Sequence, residues 1–232
     1  MEALEQYYSS LVTEKDHPFT ECATFGDDIK GKGYSFQADW HYTNQPYLDE
    51  PGTTLSDFTF TEPTINVTQA LTDLTAFLKG EIKAEDSTYM SQIADKFSYE
   101  SDQRSFALRL IIHYAGDIAQ PLHSTALVDS KYPSGDRGGN SEKIPSKSGA
   151  SNLHAVWDSV LYKYTGRPSL PLSDSDWTWY TSEVAELAKT YPVDTATLHG
   201  SDFAAWANDS FVLAETLVYP GKNPPPYFAT FI

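Results

Sequence analysis

The chain has 232 residues, 40% of them hydrophobic and 21% charged, an ordinary globular composition that excludes a disordered tail or a collagen-like repeat. With 32 acidic side chains against 16 basic ones its formal charge is −16, which speaks against a basic surface that binds nucleic acid by counterion release. Chemistry on phosphates would have to import positive charge, and bound metal is the obvious source.

No apolar run approaches the ~20 residues of a membrane span, so no membrane partner is expected. Met1-Glu2-Ala3-Leu4 lacks the basic and apolar regions of a signal peptide. Cys22 is the one cysteine, so no intrachain disulfide is available. Two sequons, Asn66-Val67-Thr68 and Asn208-Asp209-Ser210, lean slightly toward a secreted glycoprotein.

Taken in chain order, helices are predicted over Glu2–Val12, Thr68–Lys79 (closed by Gly80), Asp86–Phe97, Ser101–Ala119, Ser151–Tyr164, Asp174–Tyr191 and Ser201–Tyr219. Pro121 ends the fourth, because proline has no N–H to donate and does not fit a helix interior. Strand-like alternation is scarce, so the fold class expected is all-α, mainly helical, in one domain with long ordered loops. The loops are Cys22–Glu62 and Asp129–Ala150. The second is as long as functional loops get. It carries Lys131, Arg137, Lys143 and Lys147 against Asp129, Asp136 and Glu142, so it is locally basic in an acidic chain. His17 and His199 are expected on the surface or in loops.

Phe106, Leu110, His113 and Asp117 fall on one stripe of the fourth helix, which is apolar enough to be buried nearly all round. A buried carboxylate there needs a partner cation. His113 and Asp117 are spaced to share one metal, though a His–Asp hydrogen bond would account for a single such pair. A second His-x-x-x-Asp, His154 to Asp158, and His123 just after Pro121 make five donors. Clusters of this kind in helical bundles build metal sites. Two four-coordinate zincs need further ligands, and the N-terminal loop offers Asp27 or Asp28, Asp39 and His41.

His113-Tyr-Ala-Gly-Asp117-Ile-Ala-Gln-Pro-Leu-His123, Gly135-Asp-Arg-Gly-Gly-Asn140 and Asn152-Leu-His154-x-x-Trp-Asp158 resemble the zinc-dependent class I nucleases. These are the fungal single-strand-specific and plant bifunctional nucleases, which share a fold with bacterial zinc phospholipases C. Ala23–Asp27, Trp40-His41-Tyr42 and Trp206–Ser210 extend the resemblance from about Cys22 to Tyr219. It implies a mainly helical domain with three clustered zinc ions. One would be held by Asp27, His41 and His113, with Asp117 bridging towards a third metal; another would take His123, His154 and Asp158. Lys30 stands where the family places a basic residue against the phosphorane, Tyr42 where an aromatic stacks on a base, and Asn44 where many members have a base-contacting aspartate. Asn140 sits beside the site.

The family's N-terminal tryptophan and early histidine, which complete the third zinc site, have no counterpart before Trp40 and His17, and the spacing from Met1 to Asp27 is short. A segment missing at the N terminus, and another beyond Phe231-Ile232, are therefore expected. Two zincs are expected to bind with the residues present. The expected activity is zinc-dependent hydrolysis of single-stranded DNA or RNA to 5′-phosphates by an endonuclease, with 3′-nucleotidase activity open. Asp27 would orient or deprotonate water and Lys30 offset charge. The resemblance further implies a secreted or luminal protein, and a monomer is expected. The alternatives are a zinc phospholipase C and an inactive metal-binding pseudoenzyme.

Overall fold

The computed structural model describes residues 10–166, 168–193, 195 and 200–219, and the structural statements below concern these. The chain is mainly helical and divides into two compact units. The first comprises Met1–Phe36, Asp73–His113 and Arg167–Asp202; the second comprises Gln37–Thr72, Tyr114–Gly166 and Phe203–Ile232. The eight α-helices described are α1 (Pro18–Asp28), α2 (Val67–Lys79), α3 (Thr88–Ala94), α4 (Glu100–Ala119), α5 (Pro121–Ser124), α6 (Leu153–Asp158), α7 (Asp174–Thr190) and α8 (Phe203–Leu213). The division between units falls within α2 and within α4.

In the first unit, α1 lies where a loop is expected from Cys22 onward. Pro18 opens it at a position that suits proline. Cys22, Phe25 and Ile29 share one face and are fully buried. Gly26 and two threonines mask this helix in the sequence, because all three disfavour helix. Phe25, Phe97 and Phe106 pack with Tyr34, whose ring stacks on Phe97 at 5.8 Å. Arg109, with no exposed surface, bonds Glu21 at 3.1 Å and ties α4 to α1. Glu14, also buried, accepts backbone N–H groups of Asp16, His17 and Leu172. His17 lies in the bend before α1, as expected, partly exposed and stacked on Trp177 of α7 at 3.6 Å. His199 and the first predicted helix as far as residue 9 lie outside the described residues. The helix expected over Asp86–Phe97 shortens to α3, whose cap is Ser87, accepting from Tyr89 and Met90 N–H.

In the second unit, β1 (Gln45–Leu48) pairs in parallel with the fully buried β2 (Thr125–Val128). β3 (Lys143–Lys147) and β4 (Ala150–Asn152) form an antiparallel pair inside and at the end of the second expected loop. Leu122, Leu127, Leu153, Ala214, Val218 and Tyr219 form an apolar cluster with Tyr47, Tyr132 and Trp157 against it. Asn152 starts α6 by accepting the Ala155 N–H at 2.8 Å. The helix stops at Asp158 rather than Tyr164. Ser159 Oγ takes over local hydrogen bonding, and Val160, Leu161 and Tyr162 have φ of 49°, 55° and 69°. The last predicted helix is α8 followed by a π-helical turn, Ala214–Val218. Of the sequons, Asn66 bonds the Gln69 N–H, and Ser210 is buried with its hydroxyl on the Ile118 carbonyl. No described helix is long and apolar enough to cross a membrane.

Candidate metal centre

In the first unit, α1 carries Asp27 and α4 carries His113. His113 Nδ1 faces the Ala23 carbonyl at 2.7 Å, so Nδ1 is the donor and Nε2 is the nitrogen with which the ring could ligate. That nitrogen is 3.9 Å from Asp27 Oδ2. Gly26 permits the approach, since a Cβ there would come within 2.5 Å of His113 Cδ2. Lys30 Nζ donates to the other Asp27 oxygen at 2.7 Å. Asp28 instead accepts from Thr24 Oγ1.

The second unit gathers the other donors. His123 Nδ1 faces the His41 carbonyl at 2.8 Å and His154 Nδ1 the Gly138 carbonyl at 2.7 Å, so both turn Nε2 outward. His123 Nε2 is 3.9 Å and His154 Nε2 3.5 Å from the Asp158 carboxylate. Two ligands of one tetrahedral ion at ~2.0–2.1 Å lie about 3.3 Å apart, so these spacings fit a divalent metal with small adjustment. The donors are imidazole and carboxylate, a set that suits several divalent transition metals. Burial holds the His154 imidazole below its ordinary pKa and the nearby His123 adds to this, against the pull of Asp158. The neutral, ligating form is thereby favoured. Cys22 offers no thiolate, since burial pushes its thiol up to about 11.

His41 is held differently. Gln37 Oε1 accepts the Tyr114 hydroxyl at 2.5 Å and faces His41 Nε2 at 2.7 Å, which puts the His41 proton on Nε2. Its other nitrogen, Nδ1, then faces Asp117 Oδ2 at 2.8 Å. Two acceptors at that distance need a proton or a cation between them. The other Asp117 oxygen is 3.7 Å from His123 Nδ1, so Asp117 stands between the two histidines.

Tyr42 is half-buried and donates its hydroxyl to Asp39 Oδ1 at 2.8 Å; Asp39 is thus occupied there. Burial first, and then Asp39, push the phenol up to about 12, while the Arg137 charge draws it down. Asn44 has φ 51°, and Asn140 donates Nδ2 to the Arg137 carbonyl at 3.0 Å. Three supporting residues escaped the sequence reading. Gln37 sets the His41 tautomer, Gln120 donates to Asp158 Oδ1 at 2.8 Å, and buried Asp136 fixes the Gly-rich turn. Asp136 accepts from Leu127 N, Gly139 N and the Tyr219 hydroxyl. Gln120 and Asp136 had a visible signal, the one lying between Asp117 and His123 and the other inside the Gly135–Asn140 motif, whereas Gln37 had none.

Fold and donor set define a mainly helical protein able to hold divalent metal in histidine and carboxylate clusters. The sequence model of the S1/P1 nuclease family matches residues 1–227, and the chain belongs to that family. It is 28% identical over 151 residues to Nuclease PA3 of Penicillium sp, covering 58% of this chain and 49% of that protein. The same figures hold for Nuclease P1 of Penicillium citrinum. Endonuclease 3 of Arabidopsis thaliana is 42% identical over 55 residues, 24% of this chain and 16% of that protein. The chain spans about half the length of the two fungal relatives over these matches.

Proposed function

We propose that this chain is a zinc-dependent phosphodiesterase that hydrolyses single-stranded DNA or RNA to 5′-phosphate products. The observation that carries the reading is the pinned tautomer: His113, His123 and His154 each commit Nδ1 to a backbone carbonyl, leaving Nε2 to ligate. His123, His154 and Asp158 would hold one zinc. Asp27, His41 and His113 are the second ligand set that the family resemblance assigns, with Asp117 as bridge. Bound zinc supplies Lewis acidity and lowers the pKa of water from 15.7 to about 7.

The chain's own residues would do the following. Asp27 accepts a proton from the attacking water as its oxygen bonds to phosphorus. The bond from phosphorus to the 3′-oxygen breaks, that oxygen takes a proton, and the phosphate stays on the 5′ side. Lys30, close to Asp27, offsets charge on the non-bridging oxygens. Tyr42 stacks on the base of the nucleotide upstream of the cut, Asn44 meets the base edge, and Asn140 braces the turn beside it. A base in a duplex has no free face for Tyr42, which selects single strands; such stacking is worth roughly 1–3 kcal/mol.

The test combines zinc stoichiometry by native mass spectrometry with cleavage of a single-stranded oligonucleotide before and after chelation. Bound zinc and cleavage abolished by chelator are expected. Cleavage that survives full zinc removal overturns the mechanism, and two zincs without cleavage would mark a metal-binding protein that is not an enzyme.

A further inference from the structure

Arg137 has no role in the mechanism above, yet it stands at an unusual place. The described part of the second unit has five cations. Lys131 is bonded to Glu142, Lys143 to the Asn140 carbonyl, and Lys147 and Lys163 lie over the rings of Tyr162 and Tyr164. Among the described residues, none pairs with the exposed Arg137 guanidinium. Its backbone is fixed on both sides: Asp136 is buried with three donors on its carboxylate, and the Gly138 carbonyl holds His154 Nδ1 at 2.7 Å. The Arg137 carbonyl accepts both the backbone and side-chain N–H of Asn140. Gly138 cannot be replaced at this crossing, because a Cβ would strike the Leu122 carbonyl. Arg137 itself has φ 60°, a left-handed conformation that side chains rarely adopt.

Tyr42 is tied to the same pair of histidines from the other partner. The residue before it gives its carbonyl to His123 Nδ1, and the residue after it donates its N–H to the His123 carbonyl, both at 2.8 Å. The His123 and His154 rings are 4.8 Å apart, so Tyr42 and Arg137 flank one two-histidine cluster. The Arg137 charge is felt at the Tyr42 phenol, which agrees with that placement.

We propose that Arg137 binds the 5′-phosphate of the nucleotide whose base stacks on Tyr42, making a 5′-phosphorylated strand a better ligand than one that ends in a 5′-hydroxyl. The proposal rests on the nuclease reading for the identity of the ligand. A guanidinium suits it chemically, because its planar fork matches two phosphate oxygens at once. A lone guanidinium in a chain of net charge −16 also supplies local attraction where the long-range field is unfavourable.

The experiment compares d(TpT) with d(pTpT) on the zinc-loaded protein. Affinity is measured by calorimetry with a phosphorothioate at the internal linkage, and cleavage is followed separately on the unmodified dinucleotides. Wild type is expected to bind d(pTpT) about tenfold more tightly, the worth of one charge-assisted contact at a solvated site. Arg137→Gln brings the ratio close to one. Arg137→Gly, which relaxes the backbone at φ 60°, does the same, so loss of the ratio is not a folding defect. Lys163→Gln, an equal change in net charge, keeps the ratio. An equal loss of affinity for both ligands in Arg137→Gln would place the residue on the shared phosphate and overturn the proposal, as would a wild-type ratio of one. If wild type binds with the expected ratio but cleaves neither dinucleotide, the nuclease reading fails while the arginine site stands. Cleavage of both with equal affinities is the opposite result.

Discussion

Four histidines here each have one ring nitrogen committed to a neighbouring acceptor, three to carbonyls and His41 to Gln37. Such a contact settles which nitrogen can turn to a metal before any metal arrives, which spares the ring a reorientation on binding. The position of His113 also depends on the empty space at Gly26. Gly26→Ala adds a favourable helix residue, worth about 1 kcal/mol, while its methyl displaces the His113 ring. The expected outcome is a fold that stays intact with zinc affinity down by about 10–100-fold, the usual size of such indirect effects on a ligand. Competition against a chromogenic chelator reads this directly; an unchanged affinity would mean that His113 does not ligate through the face turned towards Gly26.

At the scale of elements, a buried ion pair adds to the apolar face of α1 in tying it to α4. Glu21→Ala leaves the Arg109 guanidinium buried without that carboxylate, and loss of one partner of such a pair costs about 3–5 kcal/mol. Thermal denaturation should show a fall on the order of 10 °C, and a negligible shift would refute the assigned role. Glu14 adds a pH dependence to the segment before α1. Burial raises its carboxyl, but backbone donors from Leu172, His17 and Asp16 more than offset this and hold it below 4.5. Its contribution is therefore complete above pH 4.5 and is lost as the pH falls through the lowered value. Glu14→Gln should flatten the acid limb of stability measured by urea midpoints at successive pH values; an acid limb identical to wild type would contradict this. The long helices were readable because α2, α4 and α7 repeat their pattern over many turns, and α4 also displays His113 and Asp117 one turn apart. The strands were not readable, because four residues such as Gln45–Leu48 are too few to establish an alternation. α6 was overextended because Ser159 turns the chain through its own side chain, which no apolar period reports. Ligands at i, i+4 were visible in the same way, whereas Gln37 meets Tyr114 from 77 residues away and leaves no spacing to find.

For the whole molecule, the charge of −16 opposes a polyanionic substrate at long range. Screening shortens that repulsion, from a Debye length of about 30 Å at 0.01 M salt to about 10 Å at 0.1 M. We expect kcat/KM on single-stranded DNA to rise over this interval, where a binder driven by counterion release would fall steeply. A tenfold fall in steady-state assays across the interval would rule this out. Zinc removal should also lower the melting temperature, because a ligand present at about 1,000 times its Kd stabilises by roughly 4 kcal/mol. The parallel pairing of β1 with β2 has a further consequence, in the order of events during synthesis. Gln45 pairs with Thr125, so β1 leaves the ribosome 80 residues before its partner. At about 5–20 residues per second that is a wait of roughly 4–16 s. Closing so long a loop rather than a ten-residue one costs only about 2 kcal/mol, so the delay is one of availability more than of entropy. During it β1 stands as an unpaired edge, and His41 and Tyr42 beside it still lack the histidines of the cluster, His123 and His154. The donor cluster of the second unit thus assembles late on the growing chain, and a nascent polypeptide halted before Asp158 would lack one of its three donors.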